Sequence, residues 1–210
     1  MKLPGRCSIS RLVVLMTCNV LLAVVLVACG GGSTASTPTP TPKPSPTPTA
    51  TQTPLPAVGT TIYKGNGFTL TYTQGWKVTA ASNTVEFSDP TNALHFIVVV
   101  TPNTSGISAS TLLSVEVQAI KSTLKNVKTV EGPSGTAFDG DTAQQEEIEG
   151  TSTSGSQTMT VELQFFSDNH PNNKTQNTNF TIVYGAEASQ MHAAFTAYYS
   201  QMLSSFTFTA

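Results

Sequence analysis

The side chains here that could bind a metal ion or move a proton are few. The histidines are His95, His170 and His192. His95 opens an apolar run, where the expectation is an imidazole satisfied by one core hydrogen bond. His170 lies in the polar stretch Ser167-Asp168-Asn169-His170-Pro171-Asn172-Asn173. The span from Ser167 to Thr178 is long for a hairpin loop, and long loops carry binding surfaces. Asp168 and His170 therefore form the candidate binding loop. His192 falls in the first turn of an expected final helix, and nothing marks it. The densest acidic patch is Asp139-Gly140-Asp141 followed by Glu146, Glu147 and Glu149. Calcium would need oxygen ligands converging from a tight loop, whereas glutamates along a strand point both ways. The patch reads as a charged edge that discourages strand addition, and no metal site is expected. A hydrolase needs a nucleophile and a base that meet. With no G-x-S-x-G elbow and no H-E-x-x-H pair, neither an enzyme nor a cofactor is expected.

One cysteine carries chemistry of another kind. Leu26-Val27-Ala28-Cys29 resembles a bacterial lipobox, with Ala28 small enough for a signal-peptidase pocket and Cys29 able to take a diacylglycerol thioether. Lys2, Arg6 and Arg11 precede it without an acid. The apolar segment from Leu12 to Val27, about 16 residues, is shorter than the roughly 18–20 a membrane span needs. The alternative is an uncleaved anchor helix, and either reading puts the rest of the chain outside the cytoplasm. The expected location is the extracytoplasmic face of a bacterial cell membrane, with lipid on Cys29 as the anchor. One acyl chain holds a protein only marginally, so multiple acylation would be needed for stable attachment.

Cleavage between Ala28 and Cys29 would remove Cys7 and Cys18, so no internal disulfide could form. It would leave seven lysines against twelve acids, a net charge of −5, and no arginine. That balance argues against bidentate phosphate or carboxylate recognition and against nucleic acid as a partner.

The positioning elements follow in order. Residues 1–28 form the expected signal peptide and residues 29–57 a tether. The tether's Thr-Pro repeats cannot bury enough surface to fold. In polyproline II at roughly 3.1 Å per residue, it would extend on the order of 85 Å. Residues 58–210 are the size of one ordinary domain. Gly65-Asn66-Gly67 signals a turn before the alternating strand Phe68-Thr69-Leu70-Thr71-Tyr72. Trp76 with Val78, and Val85 with Phe87, repeat the alternation. The continuous run from Leu94 to Val100 predicts a strand buried on both faces. Leu113, Val117, Ile120, Leu124 and Val127 predict a helix from Ser110, its cap, to Asn126, with Lys121, Lys125 and Lys128 near its C-terminus. A break at Gly132-Pro133-Ser134-Gly135 precedes an edge strand over Thr142–Thr151. Two further strands follow, one around Met159 to Phe165 and one around Phe180 to Tyr184. A last helix runs from about Ser189 to Ser204. This order predicts an α+β domain, an antiparallel sheet with helices on both faces.

Gly67-Phe68-Thr69-Leu70-Thr71-Tyr72-Thr73-Gln74-Gly75-Trp76 resembles the opening of PsbP-like domains, the fold shared with Mog1 and several bacterial lipoproteins. The order of elements agrees through Ser205-Phe206, although Thr73 stands where those domains carry proline. The resemblance implies a Mog1/PsbP-like αβα sandwich that acts as a binding or assembly factor. Plant members assist photosystem II, and the resemblance assigns none of their metal-linked residues to a position in this chain.

Two functions are therefore expected in order. The first is a membrane-anchored, non-catalytic binding or assembly module for an envelope protein. The alternative is a small-solute or metal-binding lipoprotein with a pocket between sheet and helix, lined by residues such as Trp76.

Overall fold

The computed structural model describes residues 59–209, apart from 155, 156, 173 and 175. Ala28, Cys29 and the Thr-Pro segment lie outside the described residues.

The chain runs through β1 (Thr60–Gly65), β2 (Phe68–Thr73), β3 (Lys77–Ala81), β4 (Thr84–Ser88) and β5 (His95–Asn103) to helix α1 (Ala109–Lys121). Long strands follow: β6 (Lys125–Phe138), β7 (Asp141–Ser154), β8 (Gln157–His170) and β9 (Asn177–Glu187). The C-terminal helix α2 comprises Met191–Ala194, a π-helical stretch Phe195–Tyr199 and Ser200–Ser204, and β10 is Thr207–Phe208. One sheet has the order β1-β2-β10 and the other β3-β4-β5-β9-β8-β7-β6. All their pairings are antiparallel.

The β1–β2 hairpin turns at Asn66 (φ 51°) and Gly67 (φ 78°). Both residues take the left-handed conformation that a two-residue primed turn demands. Phe68 and Leu70 then share the buried face of β2, and Phe68 stacks on Phe206 with centroids 5.1 Å apart. The expected two-faced strand is β5, whose Phe96, Ile97, Val98 and Val99 are all buried.

Alternate residues of the long strands feed two separate cores, because successive strand side chains point to opposite faces. Ile182 and Tyr184 of β9 join Phe96, Phe166, Tyr199 and Met202. Val183 between them joins Leu163, Phe165 and Ile148 with Leu113, Val117 and Ile120 of α1.

Several boundaries differ from the sequence expectation. Helix α1 begins after Ser108, not Ser110; the Ser108 hydroxyl accepts a hydrogen bond from the Thr111 N–H at 3.2 Å. It ends at Lys121, and Lys125 and Lys128 belong to β6. Leu124 and Val127 still pack on the α1 core, so the apolar spacing outlasts the helix that it suggests. The Gly-Pro break lies inside β6, where the register shifts between Thr129 and Glu131 and again between Glu131 and Ser134. Such bulges accommodate glycine and proline at a sheet edge. The edge is thus β6. The acidic strand β7 is interior, between β6 and β8. Its charges are accommodated by pairing: Glu146 meets Lys121 of α1 at 2.8 Å and Glu149 meets Lys128 of β6 at 2.9 Å.

Candidate functional site

The expected binding loop is shorter than its sequence suggested. Strand β8 continues through His170 and β9 resumes at Asn177. Asp168 and His170 are therefore strand residues two apart, on one face of β8. Ladder pairing joins Gln144 to Ser167. The same antiparallel register carried to the start of β7 sets Asp141 opposite His170.

Their side chains meet accordingly. Asp141 Oδ2 lies 2.7 Å from His170 Nδ1. Asp168 contributes a carboxylate oxygen to the same cluster, in which the donor atoms of all three residues lie within 4.8 Å of one another. Asp168 is only 3% exposed, and its Oδ2 has no hydrogen-bond partner among the described residues. Burial, followed by the neighbouring Asp141 charge, pushes its carboxyl up to about 6, against opposing effects of the Asn169 backbone and His170. Two oxygens and one nitrogen thus converge on one point.

Two neighbours fix this cluster. The His170 ring stacks on Phe208 at a centroid distance of 4.0 Å and an interplanar angle of 10°. Asp139, the other acid of the turn, accepts a hydrogen bond from the Phe208 N–H at 2.7 Å and so holds β10 in place. His170 also lines an open cleft of about 610 Å³ together with Asn66, Asn83, Lys174 and Phe180.

The other candidates are placed elsewhere. His95 Nδ1 lies 2.6 Å from Glu86 Oε1 and Nε2 lies 3.2 Å from the Asn92 carbonyl, so both ring nitrogens face acceptors. His192 is exposed on α2 and borders a second open cleft of about 750 Å³. Glu131, Glu147, Glu162, Phe195 and Leu203 also line that cleft. Burial, then Glu147 by charge and hydrogen bond, pushes the Glu162 carboxyl up to about 7, with Glu149 adding to the rise and Lys128 opposing it. Trp76 lines neither cleft. It is buried against Tyr198, with ring centroids 5.4 Å apart.

Sequence reasoning singled out Asp168 and His170 in one place and Asp141 in another without joining them. The usable signal was the alternation through Met159–Phe165. Extended two residues at a time, it would have kept β8 running and brought Asp141 across from His170.

The sequence matches no protein-family model, and no curated protein sequence is significantly similar to it. Solved structures do match. Ran-binding protein Mog1p of Saccharomyces cerevisiae superposes with a TM-score of 0.51 at 10% identity, covering 72% of this chain and 96% of Mog1p. A mutant of Mog1 gives a TM-score of 0.50 at 10% identity, covering 71% and 96%. LpqN of Mycobacterium tuberculosis, described as involved in cell envelope biogenesis, gives 0.46 at 13% identity, covering 73% and 92%. The domain has the Mog1/PsbP fold, as its opening motif implied. No helix among the described residues is long and apolar enough to cross a membrane.

Proposed function

We propose that this chain is a lipid-anchored, extracytoplasmic module that docks an envelope protein and performs no catalysis. The observation that carries the reading is the 750 Å³ cleft against α2. Phe195 is 39% exposed there, beside the carboxylates of Glu131, Glu147 and Glu162. An apolar floor with an acidic rim suits a protein segment bearing apolar and basic side chains.

The sequence around Cys29 supports attachment to a bacterial membrane, with residues 1–28 removed as a signal peptide. Residues 29–57 would serve as the tether and 58–210 as the domain. The alternation of Ile182, Val183 and Tyr184 between two cores supports the αβα reading, with one helix on each face of the seven-stranded sheet. That Mog1p is a Ran-binding protein supports docking as a use of this architecture, by analogy of fold alone.

The test is photocrosslinking of the full-length protein in its own membrane. A crosslinking residue replaces Leu203 in the cleft or, as a control, exposed Thr79 on β3 at the opposite edge of the sheet. One adduct formed from position 203 and absent from position 79 is expected. No adduct from the cleft, or the same adduct from both positions, rejects the docking face.

A further inference from the structure

We infer that Asp141, Asp168 and His170 form a binding site for a divalent first-row transition ion, with Zn²⁺ and Mn²⁺ fitting the donor set. This inference stands independently of the docking face, which lies on different residues.

An orphaned oxygen, donor geometry and outer support meet at this cluster. The first is the orphaned oxygen. A buried carboxylate oxygen without a donor is costly, and such groups are normally hydrogen-bonded, paired or bound to metal. The contact between Asp141 and His170 accounts for those two residues and leaves Asp168 Oδ2 unserved. A dication between the two carboxylates would satisfy that oxygen and cancel their mutual repulsion.

The second is geometry. Metal–oxygen and metal–nitrogen bonds are both about 2.1 Å. Donor atoms 2.7 Å apart, as in Asp141 and His170, then subtend about 80° at a shared ion. Opening that pair to about 3.0 Å gives the right angle of octahedral coordination, and to about 3.4 Å the tetrahedral angle. Two donors on one ion lie at most about 4.2 Å apart, so the 4.8 Å set must draw inward to bind. Calcium fits poorly, because it takes six to eight oxygens; imidazole with carboxylates favours zinc or manganese.

The third is access and support. The His170 side chain is 34% exposed and borders the 610 Å³ cleft, which Asp141 and Asp168 do not line, so an ion would reach the cluster past the imidazole. Stacking on Phe208 fixes the His170 ring plane, and Asp139 in turn holds the Phe208 backbone. Outer contacts of this kind orient metal ligands.

The test uses the full-length chain with Cys7, Cys18 and Cys29 all replaced by serine to remove competing thiols, freed of metal by chelation. Zn²⁺, Mn²⁺ and, as a control, Ca²⁺ are titrated separately while heat of binding and melting temperature are followed. Expected are one Zn²⁺ or Mn²⁺ per chain, a raised melting temperature, and weaker or absent response to Ca²⁺. Asp168→Asn and His170→Gln should each weaken binding by at least about tenfold. Without metal, Asp168→Asn should melt no lower than the parent, which separates lost ligation from lost folding. If Asp168→Asn nonetheless fails to fold, His170→Gln gives the same readout. Absence of one-to-one binding by either transition ion below roughly 100 µM, or affinity unchanged in both variants, overturns the inference.

Discussion

Lys121 Nζ lies 2.8 Å from Glu146 Oε1, tying the last turn of α1 to a strand in the interior of the sheet. The Glu146 side chain is only 7% exposed, whereas Lys121 keeps 22%. The lysine stem thus spans the packed interface while its tip reaches a nearly buried carboxylate. Thr129 Oγ1 takes a further hydrogen bond from the same ammonium at 3.3 Å.

Removing one partner of such a pair strands the other. Lys121→Ala is expected to destabilise the chain by about 3 kcal/mol, close to what breaking a buried pair costs. Replacing both together, Lys121→Met with Glu146→Leu, should recover most of that loss. Urea denaturation of the single and double variants gives the coupling energy, and a coupling near zero would show the pair to be incidental.

A second contact pins α2 to β9. Tyr199 is fully buried and its hydroxyl donates to the Gly185 carbonyl at 2.7 Å. Tyr199→Phe should cost about 1–2 kcal/mol by removing that buried hydrogen bond. Gly185→Ala should be worse, at roughly 2–3 kcal/mol, because the added methyl group would stand 2.7 Å from the Glu162 carbonyl, which is backbone and cannot turn aside. Thermal melts rank the two variants, and an unperturbed Gly185→Ala chain would contradict the close approach of β8 to β9.

Acid and base should act asymmetrically. Burial pushes the Glu116 carboxyl up to about 7, with a Thr181 hydrogen bond opposing it, and Glu162 is pushed to about 7 as well. Between pH 4.5 and 7 the unfolded chain has released these protons while the folded chain holds them, so stability falls as pH rises through that window. Asp89 runs the other way. Burial would raise its pKa, but hydrogen bonds from Thr91, Leu94 and Ala93 outweigh burial and lower it, so its contribution is lost on acidification through that lowered range. Melting temperature should therefore decline from pH 4.5 to 7, and Glu116→Gln should flatten part of the slope. A profile that rises across the same window would refute the assignment.

The helix cap offers a smaller and cleaner test. Ser108→Ala removes the acceptor for the Thr111 N–H and should cost about 1 kcal/mol. Ser110→Ala, at the residue that the sequence favoured as cap, should change stability by no more than about 0.5 kcal/mol.

Membrane attachment has its own test. The full-length chain should incorporate a labelled fatty acid and lose residues 1–28, whereas Cys29→Ser should do neither, because the thioether can no longer form. An unlabelled parent chain that keeps its leader would indicate that the apolar leader itself is the anchor.

Local chemistry was enough to determine much of this protein. Gly65-Asn66-Gly67 signalled a turn, and the structure has Asn66 and Gly67 at positive φ. Alternation located β2, β4 and β8, and the unbroken run of β5 declared burial on both faces. These signals were legible because turn conformation and side-chain alternation are properties of a few consecutive residues. Tertiary structure decided the rest. Leu124 and Val127 keep a helical spacing after α1 has ended, because the connection and the first residues of β6 pack on the same core and need apolar side chains there too. The acidic strand looked like an edge, yet Glu146 could be buried once Lys121 arrived from a helix 25 residues away. Asp141 and His170 are 29 residues apart in sequence. Strand register brought them together, and register is a relation between segments that no single segment carries.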